Sequence, residues 1–183
     1  MTSIRAKGRI ALFNGPPSSG KTSLVTALQD ITAEPWFHLS LDDFHSGIID
    51  RWWLDDAGQL FVQLISGYLR SLHEMALAGI NVMAEAVIIP ERRSLYQDNF
   101  GDTPIVLIGV NCPLDVAMHR EQSRSDRRIG PIDLPADYFK AVHTGLIYDF
   151  EVATDTGSPT ELAANMLSDF NRLQPSRFES HLN

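Results

Sequence analysis

Nine consecutive residues, Gly15-Pro16-Pro17-Ser18-Ser19-Gly20-Lys21-Thr22-Ser23, hold the densest chemistry in the chain. The first eight fit G-x-x-x-x-G-K-[ST], the phosphate-cradling loop. Gly15 and Gly20 allow a tight turn in which several amide groups converge on phosphate oxygens with no Cβ in the way. A helix opening behind the loop adds its positive end. Lys21 suits the β- and γ-phosphates as a mobile point charge, and the Thr22 hydroxyl suits Mg²⁺. A glycine-rich turn that binds nothing is the alternative, and the flanks argue against it. Residues 9–14 are a short, nearly continuous apolar run, and Leu24, Leu28 and Ile31 follow at helical spacing. The stretch from Gly15 to Ser23 is therefore expected to hold a nucleoside triphosphate together with Mg²⁺.

A bound triphosphate gives nearby carboxylates and guanidinium groups a task. Phosphoryl transfer to an alcohol needs a carboxylate able to accept the hydroxyl proton. Asp42, expected at the end of a second strand and facing Lys21 and Thr22, fits that role, and Asp43 reads as a turn or capping aspartate. Glu85 closes the apolar run Val82-Met83-Ala84 and is the candidate carboxylate for Mg²⁺ beside Thr22; a solvent-facing strand-end glutamate is the competing reading. Arg120, Arg124 and Arg127 stand at i, i+4 and i+7, so a continuing helix puts them on one face. Like charges stacked in this way repel unless an anion lies among them, and guanidinium clamps stabilise a transferring phosphoryl group. Arg124 is expected to touch the nucleotide as well. Neutralisation by Glu121 and Asp126, as a plain solvated face, is the alternative. Phe44, Trp52, Trp53 and Phe61 follow the proposed base and, with Asp42, suit a pocket for a small-molecule hydroxyl acceptor. Core packing explains at least one of these aromatics equally well. His45, His73 and His143 have no metal-ligand spacing, so no metal beyond Mg²⁺ is expected.

The elements that must position these groups alternate. Strands are expected at 9–14, 35–41, 80–85, 104–110 and 148–153. Helices are expected at 22–31, from Leu60 to a stop at Gly79, from Pro113 through the arginines, at 136–143, and from Ser158, where Ser158-Pro159-Thr160-Glu161 forms a capping box. Alternation of this kind means an α/β fold, a five-stranded parallel sheet covered by helices on both faces, with ligands beyond the carboxyl ends of the strands. One domain over 1–174 is expected, with a lid over about 120–135 and a polar, frayed tail at 175–183.

Composition sets bounds. The 183 residues are 44% hydrophobic and 21% charged, as in an ordinary globular domain. A net charge of −8 argues against non-specific nucleic-acid binding. The single cysteine, Cys112, excludes an intramolecular disulfide and suits a reducing cytosol. No apolar run approaches membrane-spanning length, and no signal-type segment opens the chain. A cytoplasmic protein without nucleic-acid or membrane partners is expected.

With these residues placed, the chain resembles the chloramphenicol phosphotransferase family of small P-loop kinases from about residue 10 to residue 156. The resemblance rests on Asn14-Gly15, Ser18-Ser19-Gly20-Lys21, Glu34-Pro35-Trp36 leading to Asp42, and Gly109-Val110 with Cys112. It continues in Arg120-Glu121, Arg124, Asp126-Arg127, Val142-His143, Tyr148-Asp149 and Asp155-Thr156. It implies a P-loop kinase fold and transfer of the γ-phosphate of ATP to an alcohol of an antibiotic. Asp42 would then be the base and the lid arginines would fall within 120–127. The sequence departs from the family in Pro16-Pro17, in Glu85-Ala86 where the family has paired aspartates, and over residues 44–58. A metabolite, nucleoside or nucleotide kinase is the second reading, and a nucleotide-binding switch without an acceptor the third.

Overall fold

Every residue of β1 (Ile10–Asn14) is buried, which a strand achieves only when both faces of its sheet are covered. In the computed structural model, which describes residues 7–48, 57–123 and 135–183, that is its position. The parallel strand order is β2 (Trp36–Leu39), β3 (Asn81–Ala86), β1, β4 (Pro104–Asn111), β5 (Phe150–Ala153). The period of two sorts the side chains between two cores. Ile10 and Leu12 join Val82, Ala84, Ile105 and Leu107 on one face, and Ala11 and Phe13 join Met83, Val106, Ile108 and Val110 on the other.

Helix α1 (Lys21–Ile31) covers the second face through Leu24, Val25 and Leu28. Short α2 (Leu41–His45) follows β2, and long α3 (Ala57–Leu77) covers the first face with Ile65, Tyr68, Leu69 and Leu72. Gly79, at φ 85°, closes α3: its N–H reaches Ala76 O and that of Ile80 reaches Met75 O. A helix without a counterpart in the sequence reading, α4 (Arg93–Phe100), adds Tyr96 and Phe100 to the first core. It is followed by α5 (Leu114–Gln122), α6 (Ala136–Ala141) and α7 (Pro159–Phe170). The Ser158–Glu161 capping box opens α7 as expected, and Ala163, Met166 and Phe170 join α1 on the second face. Among the described residues no helix is long and apolar enough to cross a membrane.

Three expectations need correction. The second strand stops at Leu39, because Ser40 caps a helix, so Asp42 and Asp43 stand in the first turn of α2 rather than at a strand end. The assigned helix α5 ends at Gln122, before Arg124. The tail is packed rather than frayed. Strand β6 (Ser176–Arg177) pairs antiparallel with the start of β4, and Phe178 lies fully buried with its ring 5.8 Å from that of Tyr96 and 5.9 Å from that of Phe100.

Candidate active site

The phosphate loop joins β1 to α1 and needs its unusual residues. A Cβ at Gly15 would stand 2.4 Å from the Val110 carbonyl oxygen, so only glycine passes there. Ser18 and Gly20 both adopt positive φ, 58° and 93°. Gly20 is the N-cap of α1 and offers no side chain to its amides, which leaves that end open to an anion. Lys21 is buried and curls back, its Nζ donating to the carbonyls of Gly15 and Pro16 at 2.9 Å each. Ser19 Oγ is buried with no hydrogen-bond partner, an unmet polar group at the loop itself.

The loop is held from behind by two elements distant in sequence. Thr154, just past β5, donates its hydroxyl to the Ser19 carbonyl and accepts from Arg120 Nη1 at 2.9 Å. Arg120 Nη2 donates to the Thr154 carbonyl, also at 2.9 Å. Next to it on α5, buried Glu121 accepts from the Ser18 hydroxyl. Arg120 thus spends its fork on Thr154, and Glu121 sits against the loop rather than on a solvated face.

Register explains the next contact. On β3, Met83 and Glu85 share the face that α1 covers, as does Phe13, which is paired with Glu85. His38 of β2 pairs with Met83 and points the same way. Glu85 is only 9% exposed, so it is not a solvent-facing strand end. One carboxylate oxygen accepts from the Thr22 hydroxyl at 3.1 Å, and the other meets His38 Nε2 at 2.8 Å. A hydroxyl and a carboxylate oxygen side by side are the hard donors that Mg²⁺ takes, with a histidine fixing the carboxylate from behind. Among the described residues no cluster of three or more His, Cys, Asp or Glu could hold a metal. The loop amides, Lys21, Thr22 and Glu85 therefore fit a Mg²⁺–triphosphate.

The two neighbouring aspartates have different circumstances. Asp43 closes the α2 capping box, its Oδ2 accepting from Ser40 N at 2.7 Å and Ser40 Oγ at 2.8 Å. Asp42 is exposed and its carboxylate carries no such bond. Phe44 stands edge-on to Tyr68, ring centroids 5.6 Å apart, and Tyr68 Oη bonds the carbonyls of Leu39 and Glu85. Burial pushes the Tyr68 hydroxyl well above its ordinary pKa, so it stays a donor. Phe61 lies under the guanidinium of Arg92, 4.5 Å from the ring centroid. Trp52, Trp53, Arg124 and Arg127 lie outside the described residues.

Sequence reasoning missed a buried junction beside the loop. Asn14 Nδ2 donates to Val142 O at 2.9 Å and to Tyr148 Oη at 2.7 Å, while its Oδ1 takes the Ile88 N–H. Tyr148 Oη also lies 2.8 Å from His143 Nδ1 and, having accepted from Asn14, donates there. Burial, the larger effect, lifts Tyr148 to about 12 against the Asn14 bond, and burial lowers His143, so this pair stays neutral. The signal for it was faint: an asparagine ending an otherwise apolar strand.

Strand order, loop and helices together are those of a P-loop kinase. The chain superposes on a sugar kinase from Janibacter sp. HTCC2649 with TM-score 0.62 and 16% identity, covering 90% of this chain and 95% of that one. The APS kinase CysC of Mycobacterium tuberculosis, solved in complex with AMPPNP and APS, gives TM-score 0.60 and 17% identity, covering 90% and 98%. A Mycobacterium tuberculosis protein (strain ATCC 25618 / H37Rv) named "Putative O-phosphotransferase" is 27% identical over 187 aligned positions, 87% of this chain and 81% of its own. The profile described as chloramphenicol phosphotransferase-like protein matches residues 8–171, and the chain belongs to that family. Family and fold support a phosphotransferase of the kinase type acting on small molecules.

Proposed function

We propose that the chain transfers the γ-phosphate of ATP to a hydroxyl of a small molecule, an antibiotic alcohol foremost, in the cytoplasm. The observation that carries this reading is the meeting of the Thr22 hydroxyl and the buried Glu85 carboxylate, 3.1 Å apart, at the open end of the phosphate loop. ATP would supply the phosphoryl group, and Mg²⁺ bound beside it would neutralise its charge. Gly15, Pro16, Pro17, Ser18, Ser19, Gly20 and Ser23 frame the phosphates, Lys21 meets the β/γ charge, and Thr22 and Glu85 hold the ion. Asp42 accepts the proton of the acceptor hydroxyl as its oxygen bonds to phosphorus and ADP leaves. Its neighbour Asp43 is committed to the helix cap, which leaves Asp42 the available base. Arg124 and Arg127 meet charge on the transferring group, while Arg120 holds the loop that binds it. Phe44, Trp52, Trp53 and Phe61 shape the acceptor side.

The test is a mass-spectrometric screen of aminoglycosides, phenicols, macrolides and nucleosides for a phosphate adduct, with ADP release followed in parallel. Release that rises with one acceptor, together with its adduct, is the expected result. Slow ATP turnover that no acceptor stimulates overturns the phosphotransfer reading in favour of a nucleotide-binding switch.

A further inference from the structure

Arg93 opens α4, shortly past the carboxyl end of β3, and the mechanism above does not use it. Its Nε and Nη2 are buried and have no hydrogen-bond partner. These two nitrogens form one edge of the guanidinium plane, the side-on fork that takes a carboxylate, phosphate or sulfate with two parallel bonds. The fork is pressed onto a bare backbone: a Cβ at Gly145 would stand 3.0 Å from both Nη1 and Nη2, and Gly145 sits at φ 61°. Burying a charge without a partner is costly, and an arginine used only for packing would normally find a carbonyl.

Its neighbours link it to the residue before the phosphate loop and to Phe61, which the proposed function sets on the acceptor side. Arg92, next to it, covers Phe61. Ile88, earlier in the same connection, is tied to Asn14, which directly precedes Gly15. The charge of Arg93 is felt at Tyr148, which also bonds Asn14.

We infer that the acceptor carries, besides the hydroxyl that is phosphorylated, an anionic group of carboxylate or of phosphate or sulfate type, which the Nε–Nη2 edge of Arg93 takes side-on. The inference rests on the phosphotransfer reading and narrows its substrate class. It selects hydroxy acids, sugar or nucleoside phosphates and sulfates, and acidic antibiotics over neutral phenicols. Because the edge is shut from water, the anion displaces what covers it and gives two unpartnered donors their acceptor as it binds.

Two measurements on the full chain decide the matter. In the first, hydroxy acids and their methyl esters, and phosphate and sulfate esters beside their parent alcohols, are offered with ATP to the parent and to Arg93→Met. Methionine replaces a half-buried guanidinium, whose Nε–Nη2 edge has no partner, by an apolar chain of similar length, so folding is not endangered. One anionic class is expected to exceed its neutral partners, and the class that does identifies the group. Arg93→Met should raise its KM by roughly 10- to 100-fold, the worth of hydrogen bonds to a charged group, with ATP affinity unchanged. In the second, the Arg93 Nε–H resonance, assigned by its loss in Arg93→Met, is followed while acetate, sulfate and inorganic phosphate are titrated. A saturable shift with one of them shows that the edge takes an anion even if no alcohol is phosphorylated, in which case the phosphotransfer reading fails and the anion site stands. Neutral acceptors turned over as well as anionic ones, or no saturable shift with any of the three anions, overturns it while leaving phosphotransfer standing.

Discussion

Asp42 and Asp43 offer a test in which stability and activity separate. Asp43 accepts two bonds from Ser40 and closes the capping box of α2, whereas Asp42 stands beside it, exposed, with its carboxylate uncommitted. Asp43→Ala removes the cap acceptor, a loss of about 1 kcal/mol that lowers Tm by roughly 2–4 °C in a chain of this size. Asp42→Asn keeps shape and loses only charge and basicity, so Tm should stay where it is. Its effect belongs to the chemistry: acceptor phosphorylation should fall roughly 10²- to 10⁴-fold, the usual share of a general base. ATP affinity should hardly move, because the loop amides, Lys21 and Thr22 supply it. The assay pairs melting curves with phosphate-adduct formation under saturating ATP. If Asp43→Ala abolishes transfer at unchanged Tm while Asp42→Asn behaves as the parent, the roles are exchanged. If both variants transfer phosphate like the parent, no residue of this turn is the base and the reasoning fails.

The remaining expectations are shorter. Lys21→Ala should nearly abolish turnover and weaken triphosphate binding; a folded variant with parent-like kcat refutes its role. Arg120→Lys keeps the charge but cannot span Thr154 Oγ1 and O together, so it should behave like Arg120→Ala in ATP affinity; a lysine variant with parent affinity would show that charge alone matters. Phe178→Ala should cost about 3–5 kcal/mol, lowering Tm by roughly 6–20 °C, where a frayed tail would leave it untouched. His143 is held by burial below its ordinary 6.5, so the unfolded chain takes up the proton first. Stability should be complete above that pH and decline as pH falls from it toward the folded-state value. In melting curves taken across this range, His143→Gln should flatten the decline, and an equal slope in the variant refutes the assignment.

What could be seen in the sequence was whatever a local pattern encodes. β1, the phosphate loop and α1 are contiguous, and each carries its own signal: a continuous apolar run, two glycines where backbone must turn, and a helical stripe. The Ser158 capping box was legible for the same reason. The equivalent box at Ser40 was equally local, since Ser40 and Asp43 have the required spacing, and reading it would have ended β2 at Leu39 and released Asp42 as the free carboxylate. Other features are long-range and leave no trace along the chain. His38 reaches Glu85 because β2 lies beside β3 in a register that turns both to α1, a fact of strand order. Phe178 is one apolar residue in a polar stretch, and nothing short of Tyr96 and Phe100 arriving from α4 shows that it is core.

The phosphate loop depends most on such long-range contacts. Its backbone is unusual by design of sequence, with positive φ at Ser18 and Gly20, and a strained loop keeps its shape only where its surroundings enforce it. Ser18 is held by Glu121 and the Ser19 carbonyl by Thr154, so α5 and the end of β5 enforce it from behind. Arg120 joins those two supports by gripping Thr154 at its hydroxyl and its carbonyl. A guanidinium so engaged has few donors left for a phosphate. The first member of the arginine series therefore belongs to the architecture that holds the phosphate loop, and in the function proposed above charge stabilisation during transfer is left to Arg124 and Arg127. The place of Arg120 follows from where Thr154 lies, which only the fold reveals.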